Sequence, residues 1–450
     1  MPHTERQLVA HLLRRAGFGY NASDLDAYAE LGFEGAVDRL VSYENVDDSE
    51  TEAQVVRMRA QAPGVANILH PELGNAALET AVFLTRMLMS KRPLQEKMTL
   101  LWHGWLTSSI TSVRYSSMMT EQNSLYRANA LTTDFQAMMK QVARNPAMLL
   151  YLNNNTNVKS APNENWAREL MELFTLGIDN YTEQDVKESA RAFTGWTVNI
   201  RQGGTFTVNA RQHDNGSKTF LRVTGNLNGD DIIDIIFSQP AHGPFVARKV
   251  FRFFAYDNPD DATVKRFAGV YVNNGHSIKE LVRQIFLSPE FRSDNAFYAL
   301  VKSPAEFTMG ALRALSAQIG DVATWTRISG AMALMGQQIY APPNVGGWPG
   351  NTAWVNSSAF FARADLARNL VSINSNLTVD PTEIAKADNI TTPEQAVDVF
   401  LDILLQSDVP DDYRQVLLNF IGGFRNPRDM DGKLRGLVRL IMASPVYQMN

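Results

Sequence analysis

The chain has 450 residues, 45% of them hydrophobic and 20% charged, with no cysteine. Such a composition belongs to a globular protein with material for a large core, and the missing cysteines exclude disulfides, thiolate nucleophiles and thiolate-held metal centres. A formal net charge of −5 lacks the basic excess that a phosphate-binding surface needs, so nucleic-acid binding is not expected.

The opening segment, MPHTERQLVAHLLRRAGFGY, is charged throughout and has no apolar signal core. No run in the chain reaches the roughly 20 apolar residues needed to span a bilayer. Localisation stays open, because a cysteine-free chain suits an exported and a cytosolic protein alike. Further on, LQEKMTLLWHGWL at 94–106 repeats apolar residues at helical spacing, and 124–152 reads as helix broken at Asn145-Pro146. Thr182 followed by Asp185 forms a capping pattern for a helix that ends near Gly195.

The one β signal lies at 203–223, where Phe206 and Val208 alternate with polar residues and HDNGSK supplies a turn. The expectation is a hairpin inserted between helices. GNLNGDD at 225–231 resembles a calcium loop only faintly, and a turn followed by a helix N-cap explains it better. PPNVGGWPGN at 342–351 has to be irregular and is expected to pack on the body through Trp348 and Trp354.

Two segments resemble each other: LVRQIFLSPEF at 281–291 and LVRLIMASPVY at 437–447. Both read as helices stopped by Ser-Pro, since proline disfavours helix at the preceding residue. Arg283 and Arg439 are expected to serve helix carbonyls or nearby acids. The fold expected is mainly α: a large multi-helix body over 1–372 with the β-hairpin inserted. A surface connection at 373–396 follows, then C-terminal helices at 397–450 packed on the body.

The chemistry concentrates in NENWARELMELFTLG at 163–177. At ~100° per residue, Trp166, Ala167, Leu170, Met171, Leu173 and Phe174 share one apolar arc. Glu164, Arg168 and Glu172 form a ladder on the other side, with Glu169 beside Glu172. An exposed ladder of ion pairs is the bland account. The alternative uses the surplus acid: a desolvated carboxylate acts as acid or base, or several bind a hard cation. Periodicity does not choose between them.

That stretch, with YTEQDVKESARAFTGW after it, closely resembles the most recognisable segment of a large bacterial family, domain of unknown function 1800. HLLRRAGFG at 11–19, LLWHGWLTSS at 100–109 and NPAMLLYLNN at 145–154 are similar to it as well. So are HD…K at 213–218, FVARKVFRFF at 245–254 and VGGWPGNTAW at 345–354, in the expected order along most of the chain. The resemblance implies a largely helical fold, with export signals in many members, and carries no reaction. It marks Glu164, Arg168, Glu169, Glu172, His103, His213, Asp214, Lys218 and Arg191 as motif residues, which favours a shared site over a solvated face.

Each remaining candidate has a plain structural alternative. His103, between Trp102 and Trp105, suits a packed histidine as well as a general base. Asp214 suits turn chemistry, and His242 a helix-start role. No HExxH, Walker loop, GxGxxG or GxSxG occurs. The leading expectation is therefore a hydrolytic, carboxylate-based or metal-assisted enzyme. Its catalytic set would be Glu164, Arg168, Glu169, Glu172, His103, His213 and Asp214, with Lys218, Arg191 and Trp196 contacting substrate. A divalent metal is the one cofactor these groups suggest. The rival is a non-catalytic binding or assembly protein that partners another envelope protein, with the Glu/Arg ladder as a structural clamp. The partner expected is otherwise a small molecule or polymer of unknown identity.

Overall fold

The structure, a computed structural model, describes residues 3–61, 75–200, 204–372, 379–405 and 409–450. It is mainly α. Helix starts follow the local chemistry of the caps: Thr4, Thr182, Asn228 and Ser303 each accept from the third residue on, whose side chain closes back on the cap amide. The Thr182–Asp185 pattern and the N-cap at Asn228 are both as the sequence suggests. No described helix is long and apolar enough to cross a membrane.

The β excursion is present, but it is two hairpins rather than one. Trp196–Asn199 pairs antiparallel with Thr205–Val208, and Lys218–Phe220 pairs with Val223–Gly225. HDNGSK therefore joins the hairpins instead of turning one strand onto the next. Phe206 and Val208 find partners upstream, opposite Val198 and Trp196. The second hairpin turns at Leu221 and Arg222, both at positive φ, as two-residue turns require. Residue 203 lies outside the described residues.

Two apolar cores organise the helices. The first gathers the N-terminal helices with those between Phe135 and Phe291; the second gathers Ala76–Met89 with the helices from Pro304 to Tyr447. The helix Pro93–Trp105 runs between them, giving Leu101 and Trp105 to the first and Leu100 to the second. Residues 373–378 of the expected surface connection lie outside the described residues; further along it, Pro381–Ala387 is a short helix.

The Ser-Pro similarity extends to whole helix triplets. His242–Phe254, Asp261–Asn273 and Ile278–Leu287 pack together in the first core, and Pro393–Leu405, Asp411–Ile421 and Pro427–Ala443 do so in the second. Both end on the same cap. Ser288 Oγ donates to Ile285 O and accepts from Phe291 N–H; Ser444 Oγ does the same with Ile441 O and Tyr447 N–H. Arg283 pairs with Asp38 at 2.8 Å, an acid partner as expected, and Arg439 is exposed.

The motif HLLRRAGFG ties the triplets together. Arg15 donates to the carbonyls of Ala255 (2.6 Å) and Ala296 (2.5 Å), while Arg14 donates to Leu404 O. Ala255 and Leu404 stand at the C-terminal ends of the first helix of each triplet. Adjacent side chains on one buried helix thus cap two similar helices at their carbonyl-rich, partially negative ends.

Candidate functional site

The helix Asn165–Glu169 passes without a break into a π-helical turn, Leu170–Thr175. The amides of Leu176 and Gly177 both reach back to Met171 O (2.8 and 3.0 Å), and Thr175 Oγ1 donates to Leu170 O. Gly177, at φ +81°, then ends the helix. Such single-turn widenings occur often at functional sites. Here the turn leaves the Leu173 carbonyl free of the helix ladder, and two side chains from elsewhere use it. Trp105 Nε1–H donates to it at 3.1 Å and Lys249 Nζ at 3.4 Å.

The charged face of the same segment is spent differently from the ladder read off the sequence. Arg168 pairs with Glu164 at 3.2 Å but engages Glu183 in a fork, at 2.7 and 2.9 Å. Hydrogen bonding to Glu183 holds the Arg168 guanidinium above its ordinary range. Glu172 accepts from the Tyr181 hydroxyl at 2.7 Å. Glu169 is partly buried, and its carboxyl is raised by desolvation and by the neighbouring Glu172, against a weaker pull from Arg168.

His213, Asp214, Lys218 and Arg191 form a second group. Arg191 bridges Asp214 and Glu188, each at 2.7 Å, and its hydrogen bond lowers the Asp214 carboxyl. Lys218 is buried and donates to the carbonyls of Asp214 (2.6 Å) and Gly216 (3.0 Å), which closes the turn. His213 bonds through Nδ1 to Thr194 O at 2.8 Å. A side chain at Gly195, at φ +80°, would meet Asn209 O at 2.6 Å, so only glycine lets this loop approach. Trp196 packs edge-on against Phe193 and Phe206, with Arg144 over its ring. Each group draws one residue from the helix Glu183–Ala192, Glu183 at one end and Arg191 at the other, ~12 Å apart along the axis.

His103 belongs to neither group. It is buried, accepts the Tyr340 N–H at Nε2 (2.9 Å) and lies against the rings of Tyr340 and Trp348. The proton therefore sits on Nδ1, and desolvation lowers the imidazole to about 4. His242, at its helix start as expected, is buried between Thr175 O (3.0 Å) and the Tyr271 hydroxyl (2.9 Å) and is lowered by desolvation to about 3. Among the described residues, no hydrogen bond or ion pair joins His103 or His213 to Glu164, Arg168, Glu169 or Glu172. Nor do three His, Asp or Glu side chains converge as a metal-ligand set there.

What the structure does assemble is a cleft of about 730 Å³ between the two cores. One wall is the Pro93–Trp105 helix, with Leu100, Gly104 and Trp105. A second is the His242–Phe254 helix, with Phe245, Arg248, Lys249, Arg252 and Phe253. The 346–354 loop closes it with Trp348, Asn351 and Trp354. The loop sits this deep because glycine meets glycine. A Cβ on Gly347, at φ +78°, would run into the Gly104 carbonyl, and one on Gly104 would touch Trp348 at 3.5 Å. Thr107 Oγ1 donates to Val345 O at 2.6 Å and His103 holds Tyr340, so the WHGW and GGW motifs form one joint. Trp348 and Trp354 pack as expected.

Charges in the cleft are unevenly matched. Arg252 pairs with Asp257 at 2.9 Å, and Asn351 Nδ2 donates to the same carboxylate. Glu306 is engaged by Lys97 and by the Ser303 amide. Among the described residues, Arg248 pairs with the exposed Asp261, at 3.0 Å. No carboxylate pairs with Lys249 among the described residues; its ammonium lies 5.1 Å from the Trp105 ring centre and 5.6 Å from that of Phe245. Desolvation, assisted by Arg252, lowers it to about 8. The cations of FVARKVFRFF do not stand out in the sequence as site residues. The available signal was three cations at i, i+1 and i+4 on a strongly apolar helix.

Fold and cleft together define a mainly α-helical protein whose ligand-sized cleft is aromatic on its walls and cationic along one helix. By family, the chain belongs to the protein of unknown function family DUF1800, whose model matches residues 11–449. No curated protein and no solved structure matches it.

Proposed function

We propose that the protein binds a small-molecule anion with a ring or apolar portion in this cleft. The observation that carries the reading is Lys249, a cation on an aromatic-lined wall that no carboxylate pairs with among the described residues. A cation removed from water costs free energy unless something compensates it, and a bound anion does so. The volume falls within the range of small-molecule sites. Trp105, Trp348 and Trp354 supply flat apolar surface, while Arg248 and Arg252 add positive potential at the same wall. The reading rests on the cleft rather than on the glutamates expected to perform hydrolysis, because Arg168, their cation, is spent on Glu164 and Glu183.

A matched pair of fluorescent probes tests it. Anilinonaphthalene sulfonate and N-phenyl-1-naphthylamine share a scaffold and differ in the sulfonate. We expect saturable, salt-sensitive binding of the sulfonate, weakened about tenfold or more by Lys249→Met, since hydrogen bonds to charged groups contribute ~1.5–3 kcal/mol. The neutral probe should ignore the substitution. Equal binding of both probes, or a sulfonate affinity unmoved by Lys249→Met, removes the reading.

A further inference from the structure

We propose that Lys249 is a nucleophilic amine that forms an imine with an aldehyde or keto group of a ligand held in the cleft. This rests on the cleft being a ligand site, as proposed above, and adds a covalent step to it. The neutral Nζ attacks the carbonyl carbon, and the C–N bond forms as the carbonyl electron pair moves to oxygen. The two N–H protons then leave with that oxygen as water, so the step needs no oxidant, reductant or second reactant.

The geometry carries it in three ways. Position comes first: Lys249 lies on the cleft wall, in the helix His242–Phe254, with Trp105 and Phe245 beside its ammonium. Second, no carboxylate pairs with it among the described residues, and its hydrogen bond to Leu173 O is long at 3.4 Å. The buried lysines are placed otherwise: Lys97 is held by Glu306, Lys218 by two turn carbonyls, and Lys302, over the Tyr447 ring at 3.7 Å, does not line the cleft. Third, its charged surroundings favour the neutral amine. Arg248 adjoins it and Arg252 follows within a turn, while the two carboxylates of the cleft, Asp257 and Glu306, are held by Arg252 and Lys97. An amine desolvated beside another cation is activated as a nucleophile. The lowering of Lys249 to about 8 agrees with this.

Pyridoxal phosphate, an anionic ring-bearing aldehyde, is a suitable probe on the full chain, with borohydride reduction and peptide mapping. At limiting reagent near neutral pH, one reduced adduct is expected, on Lys249. Its formation should level off above about pH 8–9, whereas exposed lysines keep gaining reactivity towards their ordinary pKa of roughly 10.4. Lys249→Arg, which keeps the charge, should lose the adduct with an unchanged melting curve. Label spread over surface lysines, or an adduct that survives Lys249→Arg, overturns the proposal. If the sulfonate probe still binds in a Lys249-dependent way while no adduct forms, the imine alone fails. If neither occurs, the cleft reading fails with it.

Discussion

The two helix triplets solve the same packing problem and differ where the cleft begins. Aligning Ala255 with Leu404, the carbonyls taken by Arg15 and Arg14, places Phe251 over Phe400 and Ala247 over Ala396, all buried. At the positions of Arg248, Lys249 and Arg252 the second triplet carries Val397, Asp398 and Leu401. Val397 and Leu401 are buried in its core, and Asp398 pairs on the surface with Arg414 at 2.7 Å. A triplet with this cap and this clamp therefore folds without a cationic stripe. Packing does not require the stripe on the first copy, whose cations line the cleft.

The largest effect should come from breaking the clamp itself. Arg15→Met strands two buried carbonyls, Ala255 and Ala296, and Arg14→Met strands one, Leu404. An unpartnered buried acceptor costs ~1–3 kcal/mol, partly offset by relief of the guanidinium's own desolvation. The expected losses are about 2–4 kcal/mol for Arg15→Met and about half that for Arg14→Met, read by denaturant unfolding. A larger loss at Arg14 would mean that the second triplet depends more on the clamp, and the comparison would need reversing.

A smaller effect of opposite sign isolates the stripe. Folding lowers Lys249 from 10.5 to about 8, so below pH 8 both states hold the proton and the folded state carries the full cost. Between about 8 and 10.5 the unfolded chain binds more protons than the folded one, and wild-type stability rises with pH until the cost is gone. Lys249→Met should therefore be more stable than wild type at neutral pH by about 1–2 kcal/mol, after discounting ~1.4 kcal/mol per unit for partial exposure. That advantage should fade across the window. Asp398→Met, at the matching place in the second triplet, should show no such pH-dependent gain. A gap that stays constant to pH 11 would show that Lys249 is not desolvated as described.

What was legible in the sequence followed from short-range chemistry. Thr182 with Asp185, the turn and N-cap within GNLNGDD, and both Ser-Pro stops act within a few residues of themselves, and each formed as read. The charged ladder failed at Glu172 for a physical reason. Placing residues at a helical angle assumes an unbroken α period, and the π turn from Leu170 abandons it for bonds one residue longer. The strands misled because Phe206 and Val208 alternate equally well for an upstream or a downstream partner. The cleft was not legible, since its walls come together from residues 100–105, 244–253 and 346–354. Lys249 was hidden further by convention, because a cation on an amphipathic helix is ordinarily assigned to the solvent face.

The smallest effect tests whether the triplets are equivalent or only look alike. Ser288 and Ser444 each accept an amide at 3.2 Å from the residue three places on and donate to a carbonyl three places back at 2.7 Å. Both immediately precede a proline, where the helix has to stop and the loop amide would otherwise be buried without a partner. Alanine at either place removes the same two bonds, and a capping side chain is worth ~1 kcal/mol. Ser288→Ala and Ser444→Ala should each cost about that much. Since one cap lies in the first core and the other in the second, with no shared partner, the double variant should lose the sum within about 0.5 kcal/mol. Unequal single losses would make the shared cap a local coincidence. A strongly non-additive double would show that the Arg14–Arg15 clamp transmits strain between the triplets, and the second could then no longer serve as the reference against which the cationic stripe of the first is judged.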